Sequence, residues 1–480
     1  MKRPSVPALV LLSSIVASMP GPVLAWDPAT THAGLTGQAL AASKFHTTLA
    51  RRLGRALGSF EPLRLDASTL DPDTARGLKS RLEALDSAGG YRPDATGIAT
   101  AAAWVRAGAV LAKTPPERGR HHFMEPRTRT GLDDGPGLSG TMHAARLTLD
   151  DGATVRDSAT GLAFDLEGMS ALDWFRSPQN DLGLNAFLDN WALAVSSPRP
   201  NQRETALVRA LLALGGVLAI LEDAGQPAFV RNDFRGEFLA HDTGSALERF
   251  VADRYGSVAL PAAHDPVSRP DLESFFAAAD GKGLAQATQS RFFSPGTLPQ
   301  DFRWSNGQSP ADAAGVANAS LRFPAPTVAA LDLRQAERTR YVVREGLRVL
   351  AYQRVSDRVH FFLDQAVHED LARRWLPEVE GYAAGMVDHL LRATVHVSVA
   401  EGKAEVTVVG VMAMLGPAAT LHVYFEDDAG ARTEFASQPL RSDQPAFFAI
   451  PKGARKVAAF VRGQDAGGDF VAAAEAHVPQ

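Results

Sequence analysis

A chain of 480 residues, 45% hydrophobic and 21% charged, can bury a large core, is long enough for two or three domains, and should be globular. Its formal charge of −5 offers no general attraction for a polyphosphate backbone, so nucleic acid is disfavoured as a partner. Cysteine is absent, which excludes disulfides, a lipid-modified cysteine, a thiol nucleophile and thiolate metal ligands.

The first 25 residues place Lys2 and Arg3 before the apolar stretch Ala8 to Ala17 and end in Val23-Leu24-Ala25, the pattern of a secretory signal peptide cleaved ahead of Trp26. Losing Lys2 and Arg3 shifts the formal charge from −5 to −7. The mature chain is expected to be exported, secreted or periplasmic, and soluble. The other apolar run, Ala210 to Leu221, lies between Arg209 and Glu222 and is only a dozen residues long.

Helical spacing of Ala, Leu, Arg and Glu predicts helices within Thr31 to Leu57 and Asp73 to Leu111, then over Leu184 to Val195, Arg203 to Ala224 and Ser245 to Tyr255. A last helical stretch is expected from Leu331 to Arg392, broken in two by Pro377. Residues 256–328 are rich in Pro, Gly, Ser and Asp and read as an irregular insertion of loops and short helices. After Arg392 the period changes to two: Thr394-Val-His-Val-Ser-Val, Glu405-Val-Thr-Val-Val, Leu421-His-Val-Tyr-Phe, Lys456-Val-Ala-Ala-Phe-Val and Phe470-Val-Ala-Ala-Ala alternate between turns. The expected fold is mainly α, a multi-helix domain over 26–392 followed by a small β-sandwich over 393–480.

Asp223 follows a strongly apolar helix, where an unpaired carboxylate is costly to bury, and needs a partner. Candidates are spread along the chain. Cleavage would leave Trp26 with a free α-amine of pKa near ~8, able to chelate a metal with its own carbonyl. His32 follows, then His121-His122-Phe123 in a Pro-bounded loop, and then His241 and Glu248. Imidazoles and carboxylates are what zinc prefers without thiolate, and ligands gathered from distant segments suit a site inside a helical bundle.

In this order the residues resemble the zinc-dependent phospholipase C and single-strand nuclease superfamily. Trp26-Asp-Pro-Ala-Thr-Thr-His32 matches its start, His121-His122-Phe123-Met-Glu-Pro126 its His-Phe segment, and Ala219-Ile-Leu-Glu-Asp223 with Pro227-Ala-Phe229 its metal-binding helix. The resemblance spans about Trp26 to Tyr255, extends weakly to Tyr382-Ala-Ala-Gly385, and leaves the β region uncovered. It implies a phosphoester hydrolase fold with clustered zinc, the ligands being Trp26, His32, His122, Asp223, His241 and Glu248.

Three departures stand against that implication. Lys113 occupies the place of an expected Asp, Ala219 that of the helix His, and Phe229 that of the next His. Ala and Phe cannot bind zinc and an ammonium repels it. The resemblance then implies a degenerate centre with one zinc ion at most and doubtful turnover, or a phosphodiesterase still working with fewer ions, on a phospholipid head group or another phosphoester. Lys113 itself has two readings: an ammonium paired with Asp223 where an ion is missing, or a surface lysine beside Thr114-Pro115-Pro116. Singly, the histidines also read as surface residues and Asp223 as a turn cap. His360, His368 and His389 read as surface or boundary positions.

Overall fold

The computed structural model describes residues 27–86, 89–114, 116–132, 147–150, 154–157, 163–165, 168–234, 246–255, 265–305, 307–414 and 419–479. Residues 1–25, Trp26 and His241 lie outside them.

Five helices frame the first part: α1 (Ala33–Ala42), α2 (Ala101–Leu111), α3 (Leu184–Ser196), α4 (Pro200–Asp223) and α5 (Gln365–Leu390). At their centre is α4, buried at nearly every position from Thr205 onward because its apolar residues surround the whole helix. By length and composition it could cross a bilayer, contrary to the dozen-residue reading of its apolar run, and 89% of its apolar window is buried inside the protein. Flanking it, α2 comes close enough for backbone to meet backbone. A Cβ at Gly108 would stand 2.0 Å from the Leu212 carbonyl oxygen, and one at Gly215 would stand 1.9 Å from that of Val105. One turn further on, Ala219 packs against Ala109 and Ala112 in the same small-residue seam.

The structure corrects the expectation of helix from Leu331 to Arg392. Strands β1 (Phe302–Arg303), β2 (Arg340–Arg344), β3 (Leu347–Val355) and β4 (Arg358–Phe362) form one antiparallel sheet in the order β1-β4-β3-β2. The deciding local chemistry is the two-residue turn Glu345-Gly346, both at positive φ (50° and 83°), which closes a β2-β3 hairpin and is incompatible with helix. Pro377 does not break α5 either. Buried Trp375, Leu376, Val379 and Tyr382 hold both sides of it in the core, outweighing one lost backbone bond. Short strands at 62–64, 98–100, 147–150, 154–157 and 163–165 add to the departure from an all-α first part.

The second part consists of β5 (Thr394–Ala400), β6 (Lys403–Val409), β7 (Thr420–Glu426), β8 (Arg432–Pro439), β9 (Ala446–Ala449), β10 (Lys456–Asp465) and β11 (Gly468–His477). They form two antiparallel sheets, β5-β6-β9 and β8-β7-β10-β11. Val457, Ala459, Val461, Phe470, Ala472 and Ala474 face the first sheet, with Val395 and Val406 opposite. The alternate residues Ala458, Phe460, Val471 and Ala473 join the helical core. Because β10 and β11 are covered on both faces, their sequences read as continuous apolar runs. The polar strand β8 and the four-residue β9, Ala446-Phe-Phe-Ala449, lack so long a run and were not expected from the sequence.

Candidate functional site

Four separate segments converge at the C-terminal end of α4. The Asp27 side chain accepts from the Thr30 amide (2.7 Å) and starts a helical turn, Pro28–His32, that delivers His32 to the head of α1. Lys113 lies two residues past α2, on the continuation of its buried face. His122 ends a short helical turn, Pro116–His122, fixed from the next strand of chain by the Met124 amide donating to the Phe229 carbonyl (3.1 Å). Glu222 and Asp223 are the last two residues of α4.

Asp223 collects three donors. The Lys113 ammonium lies 2.9 Å from both Oδ1 and Oδ2, His32 Nε2 is 3.2 Å from Oδ1, and His122 Nδ1 is 2.6 Å from Oδ2. Glu222 takes the other His32 nitrogen, Nδ1, at 2.6 Å and the Thr36 hydroxyl at 2.8 Å. Side chains of His32, Lys113, His122, Glu222 and Asp223 have no solvent access. Around them, the Phe229 ring carries the Lys113 ammonium on one face (4.5 Å) and stacks on Phe123 (4.1 Å).

Burial alone would raise the Asp223 carboxyl, but the charges of Lys113 and His32 and the imidazole hydrogen bonds outweigh it and hold the group well below the carboxylate range. Burial would likewise lower His32; Asp223 and the bonds to both carboxylates reverse this and push it up to about 9. His32 is therefore an imidazolium at neutral pH, donating from both nitrogens. His122 goes the other way, lowered by burial to about 4, so it is neutral and donates from Nδ1. Burial pushes Glu222 up, opposed by its bonds from His32 and Thr36. Nearby Glu380 of α5 is pushed up to about 7 by burial and by the charge of Glu222. The Lys113 ammonium and the His32 imidazolium thus face the carboxyl groups of Asp223 and Glu222, and a further negative charge is resisted. The C-terminal end of α4 adds its own partial negative charge, which strengthens the demand for cations there.

Among the described residues this arrangement offers a zinc ion no open set of ligands. Both Asp223 oxygens are occupied by hydrogen-bond donors, both His32 nitrogens face carboxylates, and an ammonium sits on the Asp223 carboxylate. His122 Nε2, buried without a hydrogen-bond partner among the described residues, is one potential ligand where zinc takes three or four. No group of three or more His, Asp or Glu among the described residues is placed to hold a metal.

The structure thus gathers His32, His122 and Asp223 in one place. Glu248 stands aside, accepting from Gln226 Nε2 (2.6 Å), and Gln226 in turn donates its amide to the Asp223 carbonyl (2.9 Å). Trp26 and His241 are outside the described residues. Of the two readings for Lys113, the structure selects the buried pair and overturns the surface loop. His121 turns away from its neighbour, stacking on Trp174 (4.2 Å) and accepting from the Met169 amide (2.9 Å). His368 and His389 are buried rather than peripheral. Sequence reasoning missed Glu222 and Thr36; the adjacency of Glu222 to Asp223 at the end of an apolar helix was the available signal.

No protein-family model matches the chain, and no curated protein matches it. The solved structures similar to it over most of its length include two alpha-toxins. The alpha toxin from Clostridium absonum is 11% identical, with 95% of this chain and 96% of that chain covered and a TM-score of 0.30. The Clostridium perfringens alpha-toxin isolated from avian strain SWCP is also 11% identical, with 92% and 88% covered and a TM-score of 0.26. The chemistry of the site is read from its own residues.

Proposed function

We propose that this chain is an exported, non-catalytic relative of zinc phospholipases C and nucleases, in which an internal ion network stands where metal-dependent phosphoester hydrolysis was once carried out. The observation that carries the reading is the Lys113 ammonium, 2.9 Å from both oxygens of Asp223 with neither side chain exposed. Phosphodiester hydrolysis of this type needs metals that generate hydroxide and neutralise the phosphate. A charge-balanced cluster without solvent contact supplies neither the ion nor a path for substrate. The departures at 113, 219 and 229 support the same reading as one adapted unit: Phe229 covers the ammonium, and Ala219 fills a seam too narrow for imidazole. The retained fold would serve binding, with a phospholipid head group or another phosphoester as the ligand class and nucleic acid disfavoured by the acidic charge.

The test is elemental analysis of the purified exported chain, combined with phosphodiesterase assays on a choline phospholipid and a single-stranded oligonucleotide, with and without added zinc. Substoichiometric zinc, no release of product and a melting temperature unmoved by chelator are expected. One zinc per chain together with zinc-dependent turnover overturns the proposal in favour of an enzyme working with fewer ions.

A further inference from the structure

A second ionic cluster lies at the seam between the helices and the sandwich. Glu426 Oε2 of β7 accepts from Arg203 Nη2 in the first turn of α4 (2.9 Å) and from Arg432 Nη2 of β8 (2.8 Å), while Lys456 Nζ of β10 lies 3.4 Å from Oε1. Arg432 also reaches Glu475 of β11 (2.9 Å), and Lys456 stands 4.0 Å from that carboxylate. These groups border a polar cavity of about 260 Å³, which Arg55 and the first turn of α4 close from the helical side.

The cations here exceed the anions available to them. Arg55, Arg203, Arg432 and Lys456 face Glu426, Glu475 and Glu204. Glu204 is engaged elsewhere, accepting from the Arg64 amide (2.9 Å). The Arg55 guanidinium has no hydrogen bond or ion pair among the described residues. Arg432 Nε, deeply buried, has no hydrogen-bond partner among the described residues. Burial first and Arg432 second hold Arg203 below the ordinary arginine range, as expected of guanidiniums crowded together. The first turn of α4 carries no acidic residue, so the positive end of its dipole adds to the same potential.

We infer that this seam cavity binds a tetrahedral oxyanion, a phosphate or sulfate group, clamped between Arg55 of the helical part and Lys456 of the sandwich. Guanidinium forks match such oxygens in pairs, and an ammonium supplies a compact third charge. A polar cavity between two parts of the chain is also where one anion can contact both. The inference is independent of whether the centre at Asp223 binds metal.

The experiment is calorimetric titration of the full exported chain with inorganic phosphate and with glycerol 3-phosphate at constant ionic strength, since screening would otherwise mask the effect. Saturable binding is expected, weakened about tenfold in Arg55→Ala and in Lys456→Ala and lost in the double variant. Arg55→Lys, which keeps the charge, should retain part of it. Both positions are partly exposed and apart from the packed core, and unchanged circular dichroism and urea midpoint would establish that the variants fold. Binding of phosphate marks a site for the free ion, and binding of glycerol 3-phosphate alone marks one for an esterified group. Binding of neither, or equal affinity in wild type and double variant, overturns the inference.

Discussion

The centre at Asp223 and the cluster at Glu426 use the same device, one carboxylate collecting three nitrogen donors, in opposite surroundings. Lys113, His32 and His122 converge on Asp223 without solvent; Arg203, Arg432 and Lys456 converge on Glu426 beside a cavity, with Lys456 31% exposed. Without water the charges must cancel internally, and imidazole protonation completes the balance. Beside water an excess of cations is tolerated, because solvent or an anion can satisfy it. The sealed cluster is therefore bound to the fold, whereas the wet one is free to take a ligand.

The largest effect should come from breaking the sealed set. Lys113→Ala leaves Asp223 buried with its main counter-charge removed, at a cost of ~3 to 5 kcal/mol in urea unfolding. Adding Asp223→Ala should restore part of this, and a double-mutant cycle that finds no coupling would contradict the pairing. Ala219→His comes next. The helix seam set by Gly108 and Gly215 has no room for a ring, so overpacking should cost ~1 to 3 kcal/mol, with no gain of zinc affinity. Unchanged stability together with tight zinc binding would show that the seam can open.

The pH dependence sharpens the contrast. The folded pKa of His32, about 9, lies above its ordinary 6.5, so the imidazolium's stabilisation is complete below pH 6.5 and is lost as pH rises through about 9. The stability gap between wild type and His32→Gln should narrow across that window; a gap that stays constant or widens would mean His32 is neutral. Asp223, depressed, contributes above the ordinary carboxylate range and loses its contribution only in strong acid. The smallest effect is expected at the seam, where Lys456→Ala should change stability by less than about 1 kcal/mol in anion-free buffer. A loss as large as that of Lys113→Ala would erase the distinction between the two clusters.

Much of this was legible in the chain wherever one physical pattern dominated. The all-round apolar character of α4 and the strict alternation of β5 to β7 located those elements to within a few residues. The sheet over 340–362 was hidden because Tyr341-Val-Val and Val349-Leu-Ala-Tyr are short apolar runs that fit either period, and two positive φ angles at Glu345 and Gly346 decided the matter. At the site, the order of His32, His122 and Asp223 in the sequence pointed to their convergence, and the need of Asp223 for a partner pointed to a cation. What the sequence left open was the side of α2 on which Lys113 falls: the following Thr-Pro-Pro suggested water, while the buried face Leu111-Ala112 carries it inward. Glu222 escaped notice because a carboxylate beside another is ordinarily solvated, and only His32 reaching both makes the doublet tolerable.

The central helix has its first turn in one ionic cluster and its last residue in the other, so α4 acts as a spacer. Its 24 residues span roughly 36 Å without interruption. An inserted residue would advance Asp223 by about 1.5 Å and turn it through about 100° relative to Arg203. Either cluster could then be satisfied only at the expense of the other. The length of this helix is thus a phase constraint, independent of its composition, and single-residue insertions or deletions anywhere between Arg203 and Asp223 should be tolerated far less than substitutions at the same positions.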